Sequence, residues 1–350
     1  MASLTIRVSL IGMKARVLSG VQPSGQLHLG NYLGALKNWA EIQSGYESIF
    51  CIVDLHAVTV YQEPRELAEK IRETAALFIA AGIDPEKSSI VVQSSVSGHA
   101  ELAWMLTCVT PLGWLNRMTQ FKSKSEKQET IGDGLLQYPV LMAADILIYQ
   151  ANIVPVGEDQ TQHLELTRDI AQRFNSLYGE TFTVPETRLP AVGARIMGLD
   201  DPTVKMSKSI SGSNHAIALL DPPELIRKKI ARATTDSQPA VNAENMGAGV
   251  ANLFTIAQAC DASVTLESVA GMRYGDFKKR VAEAVVARLE PIQKTYREIT
   301  ADRTYIDKVL AKGREHVLPI AEDTIRNTKR AMGLYVPEEK PCRSVAPLPK

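Results

Sequence analysis

The chain has 350 residues, 45% hydrophobic, with 39 Lys plus Arg against 39 Asp plus Glu, a formal net charge of +0. That length exceeds what one compact core usually holds and predicts two domains. The balanced charge excludes a generally basic nucleic-acid coat, so any nucleic-acid surface must be a local patch. Four cysteines (Cys51, Cys108, Cys260, Cys342) lie far apart without a C-x-x-C pair; they read as reduced intracellular thiols and indicate no zinc or iron–sulfur site. The longest apolar stretch, Leu135 to Tyr149, is too short to span a bilayer and contains Asp145, so no membrane is expected. Residues 1–13, with Arg7 and no acid, read as a disordered extension or a start placed upstream of Met13; a targeting remnant is the alternative.

In chain order, Ala15–Leu18 and Ile49–Val53 are strand candidates separated by a helical pattern from Asn31 to Gln43, with Leu33, Leu36 and Ala40 on one face and Gly45 as the stop. A second helix is predicted from about Pro64 to Ala81, with Leu67, Ile71, Ala75 and Phe78 on one stripe and Gly82 behind it. Ile90–Val92 is a third strand, followed by a helix through Trp104 and Leu106. This alternation predicts a parallel α/β sheet with helices on both faces, whose ligands sit at the carboxyl ends of the strands. Phe121 to Gly134 reads as a polar loop, Leu135 to Tyr149 as a buried helix, and Ile153–Val156 as a strand leading through Gly157 to a helix ending near Phe174. Val192 to Ser213 reads as loop.

After Asp221 the pattern is helical throughout. Asp276 is a candidate cap for a helix carrying Val281, Val285 and Leu289, and further helices are expected near Ile306–Leu310 and Ile320–Met332. Residues 272–333 hold 14 Lys/Arg against 9 Asp/Glu, a surplus of five. A solvated face and a nucleic-acid-facing helical domain explain that surplus about equally well. The tail from Val336, with four prolines among its residues, is expected to be disordered. The boundaries are therefore an extension at 1–13, an α/β unit at 14–220 with a helical insertion at about 118–190, a helical unit at 221–335, and a tail at 336–350.

Two stretches carry chemistry. Ser19 to Leu36 reads as strand, glycine-rich turn and helix, a junction that gathers backbone N–H groups and the positive end of a helix dipole and so suits a phosphate. It is neither a G-x-G-x-x-G fingerprint nor a Walker loop. His28 stands two residues before Gly30; its ring can donate to a phosphate oxygen from either nitrogen, and Gly30 lets a nucleotide lie against the backbone. Lys205-Met206-Ser207-Lys208-Ser209 places two cations on a loop, suited to closing over a triphosphate and stabilising departing pyrophosphate. Either stretch alone would be a tight turn or a solvated surface loop.

Together, His28-Leu29-Gly30-Asn31 and Lys205–Ser209 resemble the HIGH and KMSKS signatures of class I aminoacyl-tRNA synthetases, with Asn31 in place of the final histidine. Within that class the chain resembles bacterial-type tryptophanyl-tRNA synthetases over about residues 16–334. The resemblance is carried also by Ser19–Gly25, Cys51–Ala57, Arg117–Lys122, Tyr138–Leu147 and Val154–Gln160. It implies a Rossmann-like catalytic domain followed by an all-α anticodon-binding domain, and the synthesis of tryptophanyl-tRNA from L-tryptophan, ATP and tRNA(Trp). It further implies a cytoplasmic homodimer, with Mg²⁺ held mainly through ATP and no protein metal ligand named.

The same resemblance assigns residues. Gln22, Pro23, Ser24, Gly30 and Asn31 would contact ATP. Gly157, Glu158 and Asp159 would meet the ribose, and Ile196 the adenine through its backbone. Lys205, Met206, Ser207, Lys208 and Ser209 would form the phosphate loop, with Gln22, His28, Lys205 and Lys208 as the catalytic set. Lys122 and Lys124 are weaker candidates that a surface loop explains equally well. Asp145 would accept the indole N–H, Leu18, Met142, Val154 and Val156 would line the apolar side, and Tyr138 and Gln160 would hold the ammonium, with His56 nearby. Independently of family, a carboxylate in an apolar helix is costly to bury without a donor; a core ion pair is the other reading of Asp145, and a satisfied core histidine that of His56. The alternatives to a tryptophan enzyme are a tyrosyl-tRNA synthetase and a small-molecule nucleotidyltransferase with a related phosphate site.

Overall fold

The computed structural model describes residues 14–119, 132–155, 157, 160–188, 195–207 and 214–337. The expectations for 1–13, for most of the 121–134 loop and for the tail beyond 337 therefore lie outside the described residues.

Five parallel strands form one sheet in the order β3-β2-β1-β4-β5: β1 (Arg16–Val21), β2 (Glu47–Ile52), β3 (Ser88–Val92), β4 (Ile153–Pro155) and β5 (Glu186–Arg188). β2 is buried on both faces, as parallel sheets require. Phe50 and Ile52 face one core and Ile49 and Cys51 the other. On the first face Trp39 stacks on Phe50 at 4.8 Å and meets Phe78 edge-on at 5.5 Å. β5 is not among the expected strands, because Glu186-Thr187-Arg188 carries no apolar run; it pairs with β4 in parallel register as an edge strand.

Helical turns α1 (Leu29–Asn31) and α2 (Lys37–Ile42) are joined by a π turn, Tyr32–Leu36. The wider turn changes the inward set to Tyr32, Leu33, Leu36 and Trp39, so that Ala40 is only half-buried, against expectation. After β2 come α3 (Asp54–Ala57) and α4 (Pro64–Ala80), and after β3 come α5 (Gly98–Val109), α6 (Leu112–Asn116) and α7 (Gly134–Ile148). α8 (Thr161–Tyr178) follows β4 and runs four residues past the expected end at Phe174.

The second half is helical as expected: α9 (Pro223–Ala231), α10 (Ala248–Cys260), α11 (Leu266–Val269), α12 (Tyr274–Thr300) and α13 (Arg303–Ala331). Two details differ. Arg273, not Asp276, stands at the N-cap position of α12, without a side-chain cap bond, and Asp276 lies in the first turn, where its charge suits the dipole. The two segments expected near 306–310 and 320–332 are one helix, α13, with Asp302 accepting the Thr304 N–H at its start at 2.9 Å.

Gly313 explains how α13 runs unbroken past the sheet. A Cβ at this position would fall on the carbonyl of Ile90 in the edge strand β3. The helix therefore crosses the edge at its glycine. Ile306 and Val309 enter the core on one side of the sheet, and Val317, Ala321 and Ile325 the core on the other. The apolar interior is thus continuous across residue 220. Covering an edge strand in this way also hides its unpaired main chain.

Candidate active site

The sheet order reverses between β1 and β4, the position where open α/β sheets bind ligands at the carboxyl ends of their strands. Two groups of predicted residues converge there.

The first group follows β1. The turn closes with Gly25 at a φ of 62°, a left-handed value that favours glycine. Gln22 is exposed, Pro23 buried, and Ser24, Gly30 and Asn31 half-buried. His28 is the N-cap: its Nδ1 accepts the Asn31 N–H at 3.3 Å, while the Asn31 Oδ1 accepts the His28 N–H at 3.1 Å, a reciprocal capping box. The expectation that His28 can donate from either ring nitrogen is therefore corrected. With Nδ1 accepting, the N–H of a neutral ring sits on Nε2. The supply of free backbone donors is also narrower than expected, since the Leu29 N–H donates to the Ile217 carbonyl at 2.9 Å and the Asn31 N–H stays within the cap.

The 205–209 loop meets this turn. Met206 is buried, and its Cβ lies 3.6 Å from where a Cβ on Gly30 would stand, so a side chain at 30 would be wedged between Met206 and the His28 ring at 3.1 Å. Lys205 is exposed and Ser207 half-buried; Lys208 and Ser209 lie outside the described residues. The expected loop at 192–213 contains a short antiparallel turn. Lys205 bridges to Met197, and the Ile196 carbonyl accepts the Met206 N–H at 3.0 Å. Ile196 is itself buried.

The second group lies deeper. Tyr138, Met142 and Asp145 recur at i, i+4 and i+7 along α7, on one face. Asp145 is 4% exposed. Its Oδ1 accepts from Gln93 Nε2 at 2.6 Å and His99 Nδ1 at 2.7 Å, and its Oδ2 from His56 Nε2 at 2.8 Å. An ionised carboxylate only accepts, so His99 carries its proton on Nδ1 and its Nε2 receives the Tyr149 hydroxyl at 2.7 Å. Burial alone pushes the Asp145 carboxyl up, but the hydrogen bonds from His56 and His99 outweigh it and hold the group down, at about 2. Gln93 is fixed from behind, its Oε1 accepting the Leu55 N–H at 3.0 Å. The partners of Asp145 are thus histidines and an amide rather than the Arg or Lys of a core ion pair.

Leu18, Val154 and Met142 belong to one apolar cluster beside this carboxylate. The Tyr138 hydroxyl pairs with His163 Nε2 at 2.8 Å, and burial raises its pKa to about 12. Gln160 caps α8 and donates its N–H to the carbonyl of the exposed Gly157 at 2.9 Å. Val156, Glu158, Asp159, Lys122 and Lys124 lie outside the described residues. Gln93, His99, Tyr149 and His163 were missed by motif reading. The available signal was a buried polar residue inside an apolar strand end or helix, which must find a partner.

A parallel sheet whose first turn is a glycine-rich helix cap, with a lysine-bearing loop folded onto it and a buried acceptor beneath, defines a nucleotide-binding α/β enzyme that seats a second, largely apolar substrate. The family model described as tRNA synthetases class I (W and Y) matches residues 12–290, and the chain belongs to that family. It is 52% identical over 326 residues to the tryptophan–tRNA ligase of Wolinella succinogenes, covering 92% of this chain and 99% of that one. Among solved structures it resembles tryptophanyl-tRNA synthetase from Mycoplasma pneumoniae, with a TM-score of 0.86, 37% identity, and 92% and 99% of the two chains covered. It also resembles the Campylobacter jejuni enzyme complexed with ADP and tryptophan, with a TM-score of 0.80, 36% identity, and 91% and 100% covered.

Proposed function

We infer that the chain is a tryptophan–tRNA ligase. The observation that carries the substrate assignment is the Asp145 acceptor set, supported by relatives about 50% identical that bear that name. A carboxylate offers about four lone-pair positions. Gln93 and His99 occupy the two on Oδ1 and His56 one on Oδ2, so the remaining position on Oδ2 is the seat for an indole N–H. Leu18, Met142 and Val154 flank it, and Tyr138 and Gln160 stand toward the ammonium.

In the first step an oxygen of the tryptophan carboxylate attacks the α-phosphorus of ATP. The bond to the bridging oxygen of the β-phosphate breaks, giving tryptophanyl-adenylate and pyrophosphate. In the second, the 3′-terminal ribose hydroxyl of tRNA(Trp) attacks the acyl carbon and AMP leaves. No side-chain nucleophile is required; position and charge carry the rate. His28 Nε2 and Lys205, with Lys208, face the phosphates. Gln22, Pro23, Ser24, Gly30 and Asn31 hold the nucleotide at the turn, Gly157, Glu158 and Asp159 the ribose, and the Ile196 main chain the adenine. Mg²⁺ would be held mainly through ATP and water, with no protein ligand named, and would supply charge neutralisation on the phosphates.

Helices of the second half would receive the tRNA, where residues 272–333 concentrate positive charge. The protein works in the cytoplasm; among the described residues no helix is long and apolar enough to cross a membrane. A homodimer is what the family likeness implies, and Trp104 on α5 and Leu112 on α6, 71% and 59% exposed, are the contact residues chosen to test it. Trp104→Asp is expected to lower the mass seen by light scattering from twice the chain to one; an unchanged mass would place the contact elsewhere.

Amino-acid-dependent exchange of pyrophosphate into ATP tests the reaction. Tryptophan is expected to support exchange and tyrosine not. Exchange with tyrosine alone would make the protein a tyrosyl-tRNA synthetase, and exchange without tRNA charging would favour a small-molecule nucleotidyltransferase.

A further inference from the structure

Between the lysine loop and α9, residues 215–221 touch both signature motifs. On one side this segment pairs with the His28 turn: the Leu29 N–H donates to the Ile217 carbonyl and the Leu219 N–H to the Leu27 carbonyl, each at 2.9 Å. On the other side the His215 carbonyl accepts the Leu199 N–H at 3.0 Å, from the turn that carries Lys205. The segment is itself anchored. Asp221 Oδ2 accepts the Ala218 N–H at 2.9 Å and Lys229 Nζ at 2.6 Å, Lys229 Nζ also donates to the Ala216 carbonyl at 2.8 Å, and Gln293 Nε2 donates to the Leu219 carbonyl at 2.8 Å. Such a segment moves little relative to the His28 turn, because its polar groups are paired in a buried setting.

One side chain ties Lys205 to it. The His215 ring, 1% exposed, fills a slot that exists because residue 198 is glycine; a Cβ there would collide with the imidazole. Its Nδ1 lies 2.6 Å from Asp200 Oδ1 and its Nε2 3.3 Å from the main-chain oxygen of Lys205. Asp200 is on the outgoing limb of the turn and Lys205 on the return. Both neighbours offer acceptor oxygens, so the ring stands between the two limbs with an N–H available to hold them, closest to Asp200. Asn252 holds the outgoing limb independently, accepting the Met197 N–H at 2.9 Å and donating to the Met197 carbonyl at 3.0 Å.

We propose that His215 is a positioning residue for Lys205: its ring cross-links Asp200 to the Lys205 main chain and sets the lysine's height above the His28 turn. The proposal rests on the reading of Lys205 as a phosphate-facing cation. It touches no substrate, so its effect is on the rate of adenylate formation rather than on tryptophan binding. Nothing in motif spacing marks His215, which lies outside both signatures; its role follows from the slot at Gly198 and from the two acceptors that meet the ring.

The test uses the full chain, with tryptophan-dependent pyrophosphate exchange measured over ATP and tryptophan concentration. His215→Ala is expected to lower kcat about 10- to 100-fold, the scale of a misplaced catalytic group, while the KM for tryptophan and the thermal midpoint change little. His215→Gln, which keeps an N–H donor in the slot, should recover most of the rate. Asp200→Ala, on the exposed side of the ring, should show the same split at smaller size, and it stands in if the alanine variant at 215 does not fold. An unchanged kcat in His215→Ala, or parallel losses of kcat, tryptophan KM and thermal midpoint that glutamine does not rescue, would overturn the proposal while leaving the reaction assignment intact. Absence of tryptophan-dependent exchange in the wild-type protein would overturn both.

Discussion

Replacing Asp145 by Asn is expected to reduce kcat/KM for tryptophan by about 100-fold or more, because a hydrogen bond to a charged group contributes about 1.5–3 kcal/mol and the incoming N–H would then face a donor. The argument turns on what the amide can still accept. Its oxygen can take the Oδ1 position and keep both Gln93 and His99, which lie 2.6 and 2.7 Å away. Its NH₂ then points at His56 Nε2, which accepts from it in the tautomer that carries the proton on Nδ1. The local network survives, so the fold should too, but the last acceptor position has become an N–H. The KM for ATP should change by no more than about threefold, since uniform effects on both substrates report a different fault. Pyrophosphate exchange under variation of each substrate separates the two. Equal losses for tryptophan and ATP would mean that Asp145 is a structural carboxylate holding β3, α5 and α7 together.

Gly313→Val is expected to destabilise the protein by roughly 3 kcal/mol or more, beyond the usual overpacking cost, because the neighbour that must move is main chain rather than a flexible side chain. The Cβ would fall on the Ile90 carbonyl of β3, with Ile90 C and N also within contact distance. The helix cannot simply slide outward, since Ile306 and Val309 on one side and Val317, Ala321 and Ile325 on the other belong to different cores. Lifting α13 at its centre loosens both. A thermal midpoint lower by about 5 °C or more is the readout; a midpoint equal to wild type would show that the helix does not depend on this approach.

Much of the sheet was legible because a buried parallel strand writes itself as an apolar run: Ile49–Val53 and Ile90–Val92 need no partner to be recognised. β5 was not, because Glu186-Thr187-Arg188 joins the sheet by main-chain pairing, which leaves no trace in side-chain pattern. The π turn at Tyr32–Leu36 displaced Ala40 from the expected face for a related reason: periodicity arguments assume one constant turn. In the site, Asp145 was visible as a charge that an apolar helix cannot tolerate alone. Its partners were not, since Gln93 and His99 come from the end of β3 and from α5, brought in only by folding. The His28–Asn31 cap shows the reverse. Those two residues are three apart and their bond is local, so the help each gives the other is written in the sequence beside the phosphate-facing role of His28.

The crossing of α13 over β3 bears on the order in which the molecule can be assembled during synthesis. The strands of the sheet leave the ribosome first, and β3 emerges more than two hundred residues before Gly313. Until α13 arrives, the outer row of β3 main-chain groups is an open template for another chain, and the two cores on either side of it are each short of the same helix. The nascent protein therefore spends most of its synthesis with an unsealed sheet, and the long separation between the pieces makes sealing slow. The final helix works as a latch, and a polypeptide released early lacks it.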